Sequence, residues 1–325
     1  MQATPAVSVV IPLFNKGPHI ARAIQSVLNQ TEQNFEIIIV DGHSTDEGPI
    51  IVKSFQDMRI LFFEQMGAGV SSARNEGIEY SQSDFIAFLD ADDEWMPDHL
   101  ETLQRLRKTY PEAGACTTAY LVKYPNFRIK MANFHAIPKK PWEGLLPSYF
   151  KSAAFGSPPV WTSAVGIPKK ILKEIGKFNA VEWFSEDLDL WTRIAIKHPI
   201  AFSWEGKAIY HTEATNRICN CNIPLIENLI VVKTLKNLLE SDKVPLDCRD
   251  DIYEYIAIKQ IETAWVNYLA NYPDLARRNL KECETKNHLI KKYWILIWTY
   301  IPIKIFYLMS RLKRRLSDIR WGFHY

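Results

Sequence analysis

A chain of 325 residues is longer than one average domain and has room for one large domain and an appendage. With 47% hydrophobic and 23% charged residues it can fill a sizeable core, which excludes wholesale disorder. A formal net charge of +2 argues against nucleic-acid binding through bulk charge, although the sign is unevenly spread: from Lys291 onward, Lys291, Lys292, Lys304, Arg311, Lys313, Arg314, Arg315 and Arg320 stand against Asp318 alone.

The first half alternates short apolar runs with helical stretches. Val7–Pro12 is a β-branched run of the kind buried on both faces of a sheet. From His19 to Asn29, Ile20, Ala23, Ile24, Val27 and Leu28 fall at helical spacing. Phe35–Val40 predicts a second strand ending at Asp41-Gly42, and Ser44–Glu47 predicts a helix start with a capping box. Arg59–Phe63 reads as a third strand, Val70–Tyr80 as a helix and Asp84–Leu89 as a fourth strand. This repeat predicts an α/β fold with a mostly parallel, doubly wound sheet and right-handed crossovers. From Ala115 the pattern loosens into proline-rich segments at 137–141 and 157–159, a strand over Trp161–Ile167, and helices over Pro168–Ile175 and Ser185–Lys197. After His211 the chain turns helical, over Ile223–Glu240, Arg249–Ala270 and Pro273–Lys286. We expect a catalytic domain over 1–215, a helical region over 216–290 and an aromatic, basic tail over 291–325. Cys116, Cys219, Cys221, Cys248 and Cys283 contain no CxxC pair and read as reduced thiols. The N-terminus lacks the basic region of a signal peptide, so the expected location is cytoplasmic.

The chemistry is expected where carboxylates follow strands, because open α/β sheets bind ligands at the carboxyl ends of their strands. Asp41 follows the second strand, and Asp90-Ala-Asp92-Asp93 follows the fourth. Three acids in four residues repel one another unless a positive charge sits among them. A divalent ion held by oxygen ligands and bridging to phosphates answers that need; a solvated acidic loop capping the next helix would use the same residues. Asp41 suits a ribose or base. Gly67-Ala-Gly69 opens a helix whose amides either meet an anion or face solvent, with Arg74 following in that helix. The first turn, Pro12–Gly17, carries no GxGxxG, which argues against a nicotinamide dehydrogenase. In Ser185–Arg193, Glu186 and Asp187 serve either as helix-start acids or as a general base, with Arg193 pairing Asp189. His211 is either a third metal or phosphate contact or a packing residue.

In this order the segments resemble a family 2 glycosyltransferase of the GT-A fold: VSVVIPLFN (7–15), SVLNQT (26–31), FEIIIVDGHSTD (35–46), GVSSARNEGI (69–78), FIAFLDADD (85–93), IGKFN (175–179) and SEDLDLWTRIA (185–195). The resemblance covers residues 7 to 211. It implies a GT-A type, Rossmann-like sheet with flanking helices followed by a C-terminal helical region, and inversion at the anomeric carbon. It implies transfer of a hexose or N-acetylhexosamine from a nucleotide-sugar, UDP favoured, to a glycan or lipid-linked acceptor in bacterial surface glycan synthesis. By the same resemblance Pro12, Phe14, Asn15, Asp41, Gln65 and Arg74 fall at nucleotide-contact positions. Asp90 and Asp92 form the DxD motif, with Asp92 the ligand for Mn²⁺ or Mg²⁺. Asp187 matches the catalytic base of the pair Glu186-Asp187. The family's Asp-Asp-Gly-Ser turn reads Val40-Asp41-Gly42-His43-Ser44 here, with one acid missing.

Two other classes compete. A processive synthase of the same superfamily needs several membrane spans and Gln-x-x-Arg-Trp; Arg320-Trp321 is present without that Gln and without spans. A silent sugar-nucleotide-binding scaffold is argued against by the intact acid pairs. The tail is too short to span comfortably and is broken by Pro302 and Lys304. It is expected either to lie on an anionic membrane surface, peripheral on the cytoplasmic inner face, or to pack on the core or on a second subunit of an oligomer.

Overall fold

The computed structural model describes residues 4–181, 184–214, 227, 229–241 and 244–316. The predictions on Cys219, Cys221, Arg320 and Trp321 lie outside these residues. The chain divides into two compact units, Met1–Asn216 and Arg217–Tyr325.

The first unit is built on one mixed, mostly parallel sheet. Strands β1 (Val7–Leu13), β2 (Phe35–Asp41), β3 (Ile60–Glu64) and β4 (Phe85–Phe88) are joined by helices α1 (Gly17–Leu28), α2 (Gly48–Ser54) and α3 (Gly69–Tyr80). They pair in parallel in the order β3-β2-β1-β4. The chain therefore winds outward from β1 to β3, then returns to lay β4 on the other side of β1. That reversal opens the crevice in which such sheets bind ligands. All seven residues of β1 and of β2 are buried, which is why, apart from Ser8, Glu36 and Asp41, both runs are apolar without alternation; Ser8 Oγ donates to the Glu36 carboxylate. Helix α1 buries Ile20, Ala23, Ile24 and Val27, one face at helical spacing.

Beyond β4 the sheet continues with β5 (Glu94–Trp95), β6 (Ala115–Lys123), β7 (Ile129–Met131), β8 (Glu143–Leu145), β9 (Val165–Pro168) and β10 (Ile200–His211). Strand β9 pairs antiparallel with β4 and β6, and β6 runs parallel to β10. Helices α4 (His99–Thr109), α5 (Tyr149–Phe155), α6 (Lys169–Ile175) and α7 (Glu186–Lys197) complete the unit.

Some local expectations differ from the structure. The helix predicted from Ser44 begins at Gly48, because Pro49 suits only a first turn. Asp46 instead accepts from the amides of Gly17 at 2.7 Å and Gly48 at 3.0 Å, tying the starts of α1 and α2 together. The strand predicted over Trp161–Ile167 is a 3-10 turn at Thr162–Ala164 followed by β9. The turn carries Ser163, whose hydroxyl and carbonyl are both claimed by the acidic loop region, as described below.

The second unit is helical: α8 (Ile230–Glu240), α9 (Arg249–Leu269), α10 (Pro273–Lys281), α11 (Leu289–Trp298) and α12 (Ile303–Leu316). Its core gathers Ala257, Ile261, Ala264, Trp265 and Tyr268 of α9 with Ala276 and Leu280 of α10 and Ile295 of α11. Trp294, Trp298 and Phe306 of the predicted aromatic tail pack into this same cluster. Ring centroids lie 5.4 Å apart for Trp265–Trp294 and 5.3 Å for Trp298–Phe306. Helix α10 stops at Lys281, short of the predicted Lys286, because Glu254 of α9 captures the next loop. Its carboxylate accepts from the Thr285 hydroxyl and the Lys286 amide.

Candidate active site

The carboxyl ends of β1, β2 and β3 bring four sequence-predicted residues to one edge. Leu13 is in register with Asp41, and Asp41 with Glu64, so Phe14, Gly42 and Gln65 follow side by side. The Gly42 amide donates to Leu13 carbonyl oxygen at 2.7 Å, and a Cβ on Gly42 would fall 2.8 Å from Gln65 Oε1, so a larger residue there would have to displace the Gln65 amide. Asp41 is buried and its carboxylate accepts from the Ser44 amide at 3.2 Å. Asn15 holds a left-handed φ of 50°, and its side-chain oxygen accepts from the Thr45 amide at 2.8 Å. Gln65 donates to the Gly69 carbonyl at 2.8 Å. Phe14 is 60% exposed, a flat apolar ring free at the rim for stacking. Pro12 lies inside β1, buried, and Arg74 belongs to the neighbouring acid cluster instead. His43, the departure from the family turn, has a left-handed φ of 61°.

The acidic loop answers its own repulsion by sending each acid to a different partner. Residues 90–93 close a turn, with the Asp93 amide donating to the Asp90 carbonyl at 3.0 Å. Asp90 pairs with Arg74 Nη2 at 2.8 Å, and Asp92 with Lys16 Nζ at 2.6 Å. Arg22 donates to the Asp92 carbonyl. Asp93 is buried and accepts from Ser163 Oγ at 2.7 Å and from the His211 amide at 3.2 Å. Ser163 Oγ also accepts from the Asp90 amide at 3.1 Å, and the Ser163 carbonyl accepts from Trp95 Nε1. Burial, followed by the charges of Asp92 and Asp90, pushes the Asp93 carboxyl well above the usual carboxylate range. Asp93 thus holds the loop, while the Asp90 and Asp92 carboxylates keep access to solvent, at 28% and 16% exposure.

These two carboxylates fit a hard divalent cation: both offer oxygen, both reach solvent, and both already hold a positive group. Among the described residues no set of three or more His, Cys, Asp or Glu is gathered for a metal. An ion here would therefore take its other ligands from substrate phosphates and water, as Mg²⁺-type sites do. His211 is 1% exposed, with Nε2 at 2.9 Å from Glu94 and Nδ1 at 2.9 Å from Glu213. To bind a metal or phosphate its ring would have to give up one of these bonds.

Arg74 joins the two halves of the cluster. Buried in α3, it reaches Asp90 with Nη2 and Glu186 with Nη1, each at 2.8 Å, and lies over the Phe178 ring. Although burial opposes its charge, Asp90 and Glu186 hold its pKa above the ordinary arginine value. Burial first, then Asp187, raises the Glu186 carboxyl to about 7 against the pull of Arg74. Asp187 is only half-buried. Its Oδ2 accepts from Thr162 Oγ1 at 3.1 Å and its Oδ1 from the Leu188 amide at 2.7 Å. The expected Ser185 cap is not formed, because Ser185 is left-handed, with a φ of 63°, and makes no side-chain capping bond. Arg193 pairs with Asp189 at 2.9 Å and donates to the carbonyls of Ile175, Gly176 and Lys177, anchoring α7 to the end of α6.

Sequence reasoning missed Lys16, Arg22, Thr162 and Ser163. Only the Asn15-Lys16-Gly17 turn, directly after a strand, carried a signal; the other three sit on elements whose closeness to the acids appears only in three dimensions.

Comparison with known proteins gives a consistent family. The model of glycosyl transferase family 2 matches residues 8–176. The putative glycosyltransferase EpsH of Bacillus subtilis is 39% identical over 118 residues, which cover 36% of this chain and 34% of EpsH. The Escherichia coli protein WfgD is described as a UDP-Glc:alpha-D-GlcNAc-diphosphoundecaprenol beta-1,3-glucosyltransferase. It is 40% identical over 96 residues, 29% of this chain and 38% of WfgD. The match thus spans little more than a third of each relative. Among solved structures, S. aureus TarS 1–349 in complex with UDP-GlcNAc superposes with a TM-score of 0.67 at 12% identity, covering 94% of this chain and 92% of that one. The mannosyltransferase PcManGT from Pyrobaculum calidifontis, in complex with GDP-Man and Mn²⁺, gives 0.59 at 16% identity, covering 98% and 89%. At these identities the likeness shows the fold.

Proposed function

Because the chain belongs to glycosyl transferase family 2 and is a glycosyltransferase with a GT-A type fold, we propose that it moves a hexose or N-acetylhexosamine from a UDP-sugar to an acceptor hydroxyl with inversion. The observation that carries this reading is Arg74. One buried guanidinium binds the acidic loop at the sheet's switch point and the Glu186-Asp187 pair at the start of α7. Donor-side and acceptor-side acids thereby share one cluster, beside the Phe14, Asp41 and Gln65 edge.

In this scheme the nucleotide base rests against Phe14, with Asp41, Asn15 and Gln65 around it. Asp92, with Asp90, would hold a Mg²⁺ or Mn²⁺, which when bound would offset the charge of the leaving diphosphate. Lys16 and Arg74 are the chain's own cations at these acids and serve the same phosphate oxygens. Asp187, oriented by Thr162, takes the acceptor proton as the acceptor oxygen bonds to the anomeric carbon and the bond from that carbon to the diphosphate breaks. Such a base contributes about 10² to 10⁴-fold. Glu186 is tied to Arg74 and positions the pair. His211 is assigned to holding Glu94 and Glu213 at the end of β10.

The acceptor is proposed to be a lipid-linked glycan in bacterial surface polysaccharide synthesis, met at the cytoplasmic face of the membrane. WfgD, whose name states a diphosphoundecaprenol-linked acceptor, supports that assignment. Among the described residues no helix is long and apolar enough to cross a membrane.

The test is a screen of UDP-, GDP- and TDP-sugars for donor hydrolysis with Mn²⁺, then with excess chelator. Wild type should turn over UDP-sugars with metal only. Asp92→Asn and Asp187→Asn should each lose at least about a hundredfold in turnover while keeping the fold, with Asp187→Asn still binding UDP. Full activity in chelator, or near-normal turnover by Asp187→Asn, would overturn the assignment.

A further inference from the structure

The second unit carries an apolar surface that its own core does not use. Helices α11 and α12 already bury one seam: Trp294, Ile295, Trp298 and Phe306 pack on Trp265 and Tyr268. On the outside of α11, Ile290, Tyr293 and Ile297 recur at spacings of three and four, Tyr300 follows in the next turn, and Ile290 is 89% and Tyr300 70% exposed. Ile305, Leu308 and Met309 are exposed along α12. Exposed apolar residues repeated along two consecutive helices are what an interaction surface presents.

Charge identifies the occupant. Lys291 and Lys292 are engaged inward, with Glu262 and with the Cys283 carbonyl. The sequence adds Lys304, on the same helix as the exposed Ile305 and Leu308, and the run Arg311-Leu-Lys-Arg-Arg315, over which the helical backbone of α12 continues to Leu316. Asp318 is the single carboxylate side chain after Lys291. A second copy is disfavoured as occupant, because a two-fold interface sets each patch against itself and would bring two such basic runs together. Anionic lipid headgroups oppose the charge and accept the apolar side chains beneath it. The ten residues of α11 and fourteen of α12, separated by Pro302, are each too short to cross a bilayer and suit lying along its surface.

We propose that the outer faces of α11 and α12 form a docking surface for an anionic lipid layer, on which the enzyme lies peripherally. The inference deepens the membrane location given above, but it needs neither the donor nor the acceptor to be known.

The test is co-sedimentation of the full chain with vesicles of phosphatidylcholine alone and with phosphatidylglycerol added, at low and high salt and without substrate. Two variants accompany wild type: Ile290→Ser/Ile297→Ser/Leu308→Ser, and Arg311→Gln/Lys313→Gln/Arg314→Gln/Arg315→Gln. Retained circular dichroism and donor hydrolysis in solution report on folding, and sedimentation velocity without lipid reports on self-association. Wild type should bind anionic vesicles at low salt and release at high salt, and each variant should lose at least about tenfold in partitioning. The proposal is overturned if wild type ignores anionic vesicles at low salt, or if both folded variants bind as wild type. It is equally overturned if the apolar variant turns a dimer into a monomer with lipid binding intact, which makes the face a contact between copies. Because hydrolysis is read separately, a wild type that hydrolyses donor but ignores anionic vesicles refutes the surface alone, and a wild type that binds them without hydrolysing any donor refutes the catalytic reading alone.

Discussion

Glu186 shows how one residue's surroundings become a measurable property of the whole chain. Its carboxyl is raised from an ordinary 4.5 to about 7, first by burial and then by Asp187, while Arg74 pulls the other way. In the folded protein it therefore keeps a proton that the unfolded chain has already released. Between these two values the native state binds more protons than the unfolded state, so stability falls as pH rises. The contribution is fully present below the unfolded value and is lost as pH passes through about 7. Glu186→Gln cannot titrate, yet its amide oxygen still accepts from Arg74 Nη1. The difference in melting temperature, variant minus wild type, should grow from pH 5 to pH 8. A difference that stays flat across that range would show that Glu186 ionises at its ordinary pH.

At the scale of elements, close packing sets what the sheet tolerates. Helix α3 lies on β1 so tightly that a Cβ on Gly77 would sit 2.3 Å from Val10 Cγ1. Val10 is fully buried and cannot swing aside. Gly77→Val should destabilise the first unit by about 1–3 kcal/mol through overpacking, read as a lower urea midpoint. It should also disturb Arg74, which sits one turn earlier on the same helix. A midpoint equal to wild type would mean that α3 can shift without cost. Elements whose burial is simple were legible in the sequence. Strands β1 and β2 read as strands because both of their faces are covered, and α1 because its buried positions keep helical spacing. The acids at strand ends stood out because carboxylates rarely follow apolar runs without a partner. What the sequence hid were contacts made across long separations. Lys16 meets Asp92 from 76 residues away, and Ser163 meets Asp90 from 73. Local pattern also misread the Thr162–Ala164 turn as strand, because its apolar flanks say nothing of the hydroxyls that the acidic loop requires there.

Across the whole molecule the charge is nearly balanced, at +2, so the field that matters for the donor is local. In the proposed catalytic cluster Asp92 is matched by Lys16, and Asp90 and Glu186 by Arg74. A divalent ion arriving alone meets carboxylates that already have counter-charges, and has to compete with the Lys16 ammonium for Asp92. A diphosphate arriving alone is drawn to Lys16 and Arg74 but repelled by the acids beside them. Together the two nearly cancel, and the diphosphate supplies the oxygen ligands that the described residues do not gather. Binding of metal and nucleotide should therefore be synergistic, with a coupling free energy in the usual range of about 1–3 kcal/mol, or roughly 5- to 150-fold in affinity. Calorimetric titration of UDP with and without Mn²⁺ measures it directly, and reciprocity requires the same factor when Mn²⁺ is titrated with and without UDP. Asp92→Asn should remove most of the coupling, since it takes away the carboxylate charge that holds the ion but leaves Phe14, Asp41 and Gln65 to meet the base. Equal UDP affinity in Mn²⁺ and in chelator would show that Lys16 and Arg74 carry the diphosphate unaided, and that the acidic loop serves the fold and not the donor.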